Sequence, residues 1–314
     1  MKTIGRILMV LLCMAVAVPG ICETLTYGSF SADSEAEYLN IELNQIIEDY
    51  EGFYSFLSKF PNLKKVDMFS VKIYNKKVEE LHERFPDIEF GMTMGFGEHT
   101  LRTDDTAFST LHEYDSVWHS SGVMSIVRYC KNMYALDLGH NSFQDLSFLY
   151  EMPQLRVLIV AIGDATDITP IGSLKHLEYL EIFHNQIHDI SCLADLPYLM
   201  DLNIVNNRIE DLTPLKSLKS LKRLWIFRYS SPYMEDPVDE EILADLQEAL
   251  PDCYIDGHST STAGGWREHP HYDVIYRIFH TRIYEPFADS PAENIPDGFE
   301  PAAEETVTAE EADQ

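Results

Sequence analysis

Histidines give the clearest case for metal or proton-transfer chemistry in this sequence. His184 and His188 are four residues apart, and a second pair, His269 and His271, flanks Pro270. Neutral imidazole is a common ligand of zinc, and it exchanges protons near neutral pH. Zinc requires three or four ligands around one ion, so either pair forms a site only where the fold brings further ligands to it.

Other motifs that carry chemistry are absent from the sequence, which contains no G-x-x-x-x-G-K-[ST], H-E-x-x-H or G-x-S-x-G. Cys130 and Cys192 have no recognisable acid or base partner to activate a thiol. We therefore predict a protein that is not an enzyme and that has no catalytic residue, metal or cofactor. The alternative is an enzyme with its site in the C-terminal cap or between residues 92 and 128, where these side chains would have to converge: Asp104, Asp105, His112 and His119.

An internal repeat of 22 residues determines where these side chains lie. Five segments align in one register, and their first leucines are Leu136, Leu158, Leu180, Leu202 and Leu224. Aspartates keep the same step at Asp145, Asp167, Asp189 and Asp211. Three of the segments also carry an asparagine after the strand-like leucines, at Asn141, Asn185 and Asn207. A fixed period of this length indicates a stacked repeat architecture.

The pattern L-x-x-L-x-L-x-x-N-x-I-x-D-L-x-P-L resembles the 22-residue, internalin-like leucine-rich repeats of bacteria. More closely, the chain resembles exported leucine-rich-repeat proteins of gut-dwelling Firmicutes, which combine the array with motifs like PNLKKVDM, TLRTDDTAFSTLH and GGWREHPHY. The resemblance covers residues 35–287. It implies an α/β leucine-rich-repeat solenoid, a right-handed superhelix with a parallel concave sheet, and it implies no defined activity.

The residues themselves predict the same geometry. Leu-x-Leu with period two predicts a short strand, and strands of successive repeats stack in parallel about 4.8 Å apart over one leucine core. The asparagine turns the chain, and its amide bonds backbone groups that a tight turn leaves unpaired. The repeated aspartates are expected to cap backbone donors in the returning arc. His140 and His184 lie two repeats apart, roughly 10 Å, which is too far for one metal ion.

The first 22 residues have the pattern of a secretory signal peptide. Lys2 and Arg6 precede an apolar run of about twelve residues, which is too short to cross a bilayer. A lipid on Cys22 is not expected, because Ile21 stands where lipoprotein signals carry a small residue. We therefore predict an exported protein, extracellular or at the cell surface, without a transmembrane anchor.

Spacing and composition divide the remaining chain. Longer, helix-backed repeats are predicted in the N-terminal cap, where Leu39, Val66 and Ile88 follow at steps of 27 and 22. The acidic tail contains prolines and is predicted to be disordered. The predicted segments are 23–91 for the N-terminal repeats, 92–128 for a non-repeat insertion with a hairpin, 129–229 for the 22-residue repeats, 230–287 for a helix–strand repeat and aromatic cap, and 288–314 for the tail.

Side chains between the core leucines face away from the core, because residues alternate along a strand. On the concave sheet these side chains change from acidic to aromatic toward the C-terminal repeats. A partner-binding patch is predicted at Tyr179, Glu181, Phe183, Asp201, Asn203, Val205, Arg223, Trp225 and Phe227. Alternatively, the aromatic segment GGWREHPHYDVIYRIF folds over these residues and buries them.

The formal net charge is −29, from 23 Lys and Arg against 52 Asp and Glu. Such a chain repels phosphate backbones, which excludes nucleic acid as a partner. A concave face of about nine strands spans roughly 40 Å, which is enough for a protein partner. We predict a monomeric binding module for a protein, with a glycan as the alternative ligand. The alternative function is a structural or adhesion component of the cell surface, which would self-associate.

Overall fold

A computed structural model describes residues 23–42, 47–97, 99–111, 125–231, 234–236 and 238–301. The predicted signal peptide, Cys22, His112 and His119 lie outside these residues, as does the end of the acidic tail. The strands are β1 (Thr24–Tyr27), β2 (Phe30–Asp33), β3 (Tyr38–Asn40), β4 (Lys65–Asp67), β5 (Glu89–Gly91), β6 (Thr93–Phe96), β7 (His99–Arg102), β8 (Ala107–Ser109), β9 (Ala135–Asp137), β10 (Val157–Ile159), β11 (Tyr179–Glu181), β12 (Asp201–Asn203), β13 (Arg223–Trp225), β14 (Arg228–Ser231), β15 (Met234–Asp236) and β16 (Tyr254–Asp256).

Four α-helices occur in this part of the chain, and short 3-10 helices take their place in the central repeats. The α-helices are α1 (Tyr50–Leu57), α2 (Asn75–Arg84), α3 (Glu240–Ala249) and α4 (Pro270–Thr281). The 3-10 helices are Ser125–Tyr129, Ser147–Glu151, Thr169–Ser173, Ser191–Asp195, Thr213–Ser217 and Ala292–Asn294. Five-residue arcs of this kind fit a 22-residue repeat, in which a full α-helix would need more chain.

The centre of the molecule is a seven-stranded parallel sheet with the order β16-β13-β12-β11-β10-β9-β8. Its register keeps the 22-residue step, so that Leu136, Leu158, Leu180, Leu202 and Leu224 are direct neighbours on adjacent strands. All five are fully buried in one continuous apolar core. The protein is therefore a leucine-rich-repeat solenoid of the α/β class, as the sequence predicts.

Asparagines stabilise one corner of three repeats, and aspartates stabilise the other corner of four. Asn185 Nδ2 donates to Val160 O (2.8 Å) and Ile182 O (3.1 Å), and its Oδ1 accepts from Ala165 N (3.1 Å). Asn207 makes the equivalent bonds one repeat later, and Asn141 Nδ2 donates to Leu138 O (3.0 Å). In the arcs, each repeated aspartate accepts the N–H two residues on, at 2.7–2.9 Å; these are Asp145, Asp167, Asp189 and Asp211.

The residue before each asparagine position has a left-handed backbone. These residues are His140, Ile162, His184 and Asn206, with φ between 55° and 60°. His140 and His184 are therefore turn residues, and their side chains are exposed. Among the described residues, no group of three or more His, Cys, Asp or Glu side chains is arranged to hold a metal ion.

The N-terminal repeats depart from the predicted spacing. β3, β4 and β5 form a separate three-stranded parallel sheet in which Val66 pairs with Phe90, not with Ile88. β6 and β7 form an antiparallel hairpin inside the predicted insertion. The last part of the predicted insertion belongs to the repeat array, because β8 is the edge strand of the main sheet and Phe108 pairs with Leu136. Phe108 and Leu136 are further apart in the sequence than equivalent residues of the central repeats, so a 22-residue period does not reveal this repeat.

The tail is ordered for longer than its composition predicts. Asn294 is fully buried. Its side-chain Nδ2 donates to His176 O (3.0 Å) and Glu178 Oε1 (2.5 Å), and its backbone carbonyl accepts from Arg156 Nε (2.8 Å). Disorder from residue 288 is therefore wrong as far as residue 301. A few anchoring side chains order a segment whose average composition is typical of disorder.

Replacing Asn185 with alanine should destabilise the protein by about 1–3 kcal/mol, because the change leaves buried backbone groups of two repeats unpaired. Urea unfolding measures this difference. His188→Ala, three residues away on the exposed side of the same turn, should stay within about 0.5 kcal/mol of the parent. Equal midpoints for the two variants would show that the asparagine bonds contribute nothing to stability.

Candidate functional site

The C-terminal segment of the chain lies across the concave face of the main sheet. Residues 257–299 run over the strands as a loop, helix α4 and a second loop. Trp266 packs against Tyr179 (ring centroids 5.6 Å apart) and edge-on against Trp225 (4.9 Å, 72°). Ile275, Phe279 and Phe287 join them in a second apolar core, separate from the leucine core. The concave side chains of β11, β12 and β13 are thus interior residues.

The nine residues of the predicted partner-binding patch are therefore not exposed. Tyr179, Asp201, Asn203 and Val205 have no exposed area, and Phe183, the most exposed of the nine, retains 5 %. The exposed patch is wrong, and the alternative, burial by the aromatic segment, is what the structure shows. The physical reason is the hydrophobic effect: burying apolar side-chain surface is favourable by about 25 cal/mol per Å², and the aromatic segment of the same chain is available to bury it.

A buried cluster of charged side chains holds the C-terminal segment, here called the cover, on the sheet. Asp201 is fully buried and accepts from Arg223 Nε (2.7 Å) and from His271 Nδ1 (2.5 Å) of helix α4. His271 Nε2 contacts Asp289 Oδ1 (2.8 Å), and Asp289 is ion-paired with Lys222. Arg223 Nη1 also donates to Trp266 O (3.0 Å). The sequence predicts Asp201 and Arg223 as part of an exposed partner-binding patch, whereas they form the charged centre of an internal interface.

The cluster shifts the pKa of His271, Asp201 and Asp289 away from their ordinary values. Burial opposes the charged form of His271, but hydrogen bonds and the charges of Asp201 and Asp289 raise its pKa to about 9. Burial would raise the pKa of Asp201, and hydrogen bonds from His271 and Arg223 lower it below its usual value. The pKa of Asp289 is lowered in the same way, by His271 and Lys222 against burial. At neutral pH the cover is therefore attached by a charged histidine between two carboxylates.

The cover does not close the whole face, and a half-open cleft of about 330 Å³ remains between β9, β10, β11 and helix α4. Asp137 and Glu181 lie on its floor at the same position of β9 and β11, with Ile159 of β10 between them. One strand, β10, lies between β9 and β11, so the Cα atoms of Asp137 and Glu181 are about 10 Å apart. The other residues that line it are Leu111, Gly139, His140, Ala161, Ile162, Phe183, Ser261, Thr262, Arg267, Tyr272, Ile275, Tyr276 and Phe279.

Both cleft carboxylates are buried, and neither has an ion pair with a described Lys, Arg or His. Glu181 Oε1 accepts from Trp266 Nε1 (2.8 Å) and from the Tyr179 hydroxyl, while Oε2 makes no hydrogen bond to a described residue. Asp137 accepts from Gly139 N (2.9 Å) and Ser109 Oγ (2.8 Å). Burial raises the pKa of Glu181 to about 7 and that of Asp137 to about 6, against the effect of these bonds.

None of the described cysteines lines the cleft. Cys130, Cys192 and Cys253 are free thiols in the leucine core or the arcs, and burial raises the pKa of Cys192 to about 11 and that of Cys253 to about 12. Asp104 and Asp105 bind the Arg102 side chain and backbone. What the cleft offers is a concave apolar site with two carboxylates, which is typical of ligand binding.

The sequence shows the acidic residues of this cleft, although the predicted site does not include all of them. The middle position of successive strands reads Asp137, Ile159, Glu181, Asn203 and Trp225. Glu181 and Phe183 of the predicted patch line the cleft, but Asp137 is not among the predicted residues. Tyr272 and Tyr276 come from helix α4, far later in the chain, and no spacing rule places them beside β9.

No family model matches the sequence, and none of the curated proteins matches it. Among solved structures the chain is similar to internalin C2 of Listeria monocytogenes (22% identity, TM-score 0.36), covering 64% of this chain and 74% of that one. A second internalin of the same organism gives 16% identity and a TM-score of 0.35, covering 66% and 71%. A leucine-rich-repeat protein of Leptospira interrogans gives 19% identity and a TM-score of 0.41, covering 64% and 56%.

The similarity to these structures concerns the repeat fold alone. The assignment of the fold rests on the 22-residue register and the parallel sheet of this chain. Among the residues that the structure describes, none of the helices is both long and apolar enough to cross a membrane.

Replacing His271 with glutamine should flatten the pH dependence of stability between about pH 6.5 and 9. The pKa of His271 is raised on folding from 6.5 to about 9, so its contribution to stability is complete below pH 6.5 and is lost as the pH rises through 9. Urea unfolding across this range should show a decline in the parent that the variant lacks. The exposed His188→Gln variant should decline like the parent; identical profiles for His271→Gln and the parent would contradict the pKa assignment.

Proposed function

We propose that this protein is an exported leucine-rich-repeat binding module that recognises a protein partner at the open cleft of its concave face. The observation that carries the proposal is the pair of exposed apolar side chains on the rim of the cleft. Leu111 is 45% exposed and Tyr276 is 59% exposed, and both line the same cavity. Large apolar side chains beside a concave site are typical of residues that a partner covers.

The closed part of the face supports the same location. β12 and β13 present buried side chains beneath the C-terminal segment, so a partner reaches them only if that segment leaves. Detachment would expose the aromatic side chains and break the ion pair between His271 and Asp201, which makes it costly. A partner therefore meets the cleft and its rim first.

Export rests on the signal pattern of residues 1–22, and protein recognition rests on the fold and the rim. Leucine-rich repeats form extended concave surfaces, and the net charge of −29 favours a partner with a basic or neutral contact surface over an acidic one. A surface adhesion role would use the same array but would require contacts between copies of the chain.

Site-specific cross-linking tests the location. A photo-reactive phenylalanine analogue at Tyr276 should cross-link a protein from the organism's envelope or surroundings, whereas the same analogue at Tyr254 should not. Tyr254 is a matched control, because it is also 59% exposed and lies at the far end of the main sheet. Equal yields from both positions would show that contact at Tyr276 is non-specific.

Affinity measurements on the captured protein complete the test. Tyr276→Ala and Leu111→Ser should each weaken binding about five- to thirtyfold, because truncating an interface anchor costs roughly 1–2 kcal/mol. Tyr254→Ala should leave the affinity unchanged. Self-association of the purified protein in sedimentation, in place of binding to a different protein, would favour the adhesion role and contradict the proposal.

A further inference from the structure

We propose that the cleft between β9, β11 and helix α4 binds an organic cation, a primary ammonium or guanidinium group carried on an apolar stem. Free amines and the lysine or arginine side chains of proteins both present this chemistry. The inference rests on the proposed function for its biological setting, but the cleft and its two carboxylates stand without it.

The first observation is the pairing of acid with apolar surface. Asp137 and Glu181 are 5% and 4% exposed, yet both line a cavity that is large enough for a small organic group. Ile159, Phe183 and Phe279 supply apolar walls, and Tyr272 supplies an aromatic ring. Apolar walls favour a hydrocarbon stem, and aromatic rings also attract a cation through their negative faces.

The second observation is that one carboxylate oxygen of Glu181 has no hydrogen-bond partner among the described residues. Its Oε1 is occupied by Trp266 and Tyr179, but Oε2 makes no hydrogen bond to a described residue, although the side chain is almost completely buried. A buried carboxylate is costly unless a donor or a cation reaches it. An ammonium or guanidinium entering from the open side would supply both.

A metal ion fits this site poorly. The two carboxylates are two strands apart, and no third His, Cys, Asp or Glu of the described chain completes a cluster. Calcium takes six to eight oxygen ligands close around the ion, which two carboxylates on β9 and β11 do not supply. An ammonium or guanidinium needs no such set of ligands: it donates hydrogen bonds to Glu181 and is attracted by the charge of Asp137.

Five other charged or titratable side chains face the cleft or Glu181. They are His140, Tyr179, Arg267, Tyr272 and Tyr276. Arg267 is exposed, lowers the pKa of Glu181 and forms no ion pair with either carboxylate. A bound cation favours the ionised form of Glu181, so binding should release a proton where Glu181 is partly protonated, near pH 7.

Calorimetry with 2-phenylethylammonium as the probe tests the inference on the purified protein. Saturable binding is expected, and 2-phenylethanol, its neutral analogue, should bind at least tenfold more weakly. Between pH 8 and pH 6 the affinity for the ammonium should fall about tenfold, as Glu181 becomes protonated. Titrations in buffers of different ionisation enthalpy should show proton release at pH 7 that disappears by pH 9.

Isosteric variants assign the binding to the two carboxylates. Glu181→Gln keeps the acceptor for Trp266 and should weaken ammonium binding about tenfold or more and remove the proton release. Asp137→Asn should also weaken it, and it keeps the acceptor for Gly139. The exposed Glu210→Gln carries the same change in net charge and should bind like the parent. His140→Asn should keep the parent's pH profile, which separates Glu181 from the nearby imidazole.

Peptides identify the source of the cation. An Ac-Ala-Lys-Ala-NH₂ peptide that binds more tightly than its acetyl-lysine form and more tightly than 2-phenylethylammonium assigns the site to a protein side chain. Tighter binding of the free amine assigns it to a small molecule. Equal binding of ammonium and alcohol, unchanged affinity in both carboxylate variants, or displacement of the amine by millimolar Ca²⁺ would overturn the inference.

The two proposals fail separately. If the amine binds but the analogue at Tyr276 captures no protein, the cation site stands and the proposed partner function does not. If a protein is captured at Tyr276 with the expected loss in Tyr276→Ala, while no cation binds, the partner function stands and the cation site does not.

Discussion

A parallel stack of repeats places equivalent side chains of neighbouring strands next to each other, and this constraint governs the rest of the molecule. The 22-residue register joins Leu158 to Leu180 and Leu180 to Leu202, which fills one side of the sheet with leucine. The same register joins Glu181 to Asn203 and Asn203 to Trp225 on the other side. The side chains of that second row therefore face water, a partner or another part of the chain.

In this protein the row is covered by its own C-terminal segment, and the cover is held by polar bonds as well as by apolar area. Asn203 Nδ2 donates to Ser261 O (2.9 Å), and Trp225 Nε1 donates to Ala263 O (2.9 Å). Asp201 cannot remain buried and charged without Arg223 and His271, so the strand and helix α4 depend on each other. The segment is therefore part of the folded unit, and the solenoid has two cores.

The sequence predicts the features that are local or periodic and misses those that depend on distant contacts. The leucine register, the bonds of Asn185 and the capping by Asp189 all recur from one repeat to the next, so each is visible in one unit and checked by its neighbour. β8 escapes prediction because its step to β9 is longer than the steps between the later strands. The order of residues 288–301 rests on side chains such as Asp289 and Asn294, whose partners include Lys222, His176 and Glu178, far earlier in the chain, and composition carries no information about such contacts.

The choice between an open and a covered face illustrates the same limit. Exposed aromatic side chains and covered ones have the same spacing along a strand, so the sequence of β11 to β13 fits both; only the complementary partners Trp266, His271 and Phe287 decide it. These residues lie well beyond β13, in a segment without a repeat.

The chemistry of the row also explains where the cover stops. At Asn203 and Trp225 the row donates hydrogen bonds, and the backbone carbonyls of the loop before helix α4 accept them. Toward β9 the row turns acidic, with Glu181 and Asp137, while helix α4 opposes it with Ile275 and Phe279. An apolar helix surface cannot close over two carboxylates without leaving charge unpaired in a dry interface. The cover therefore leaves this row at Glu181 and Asp137, where the cleft opens, while helix α4 still packs over β8 and β9 at Ala107 and Ala135.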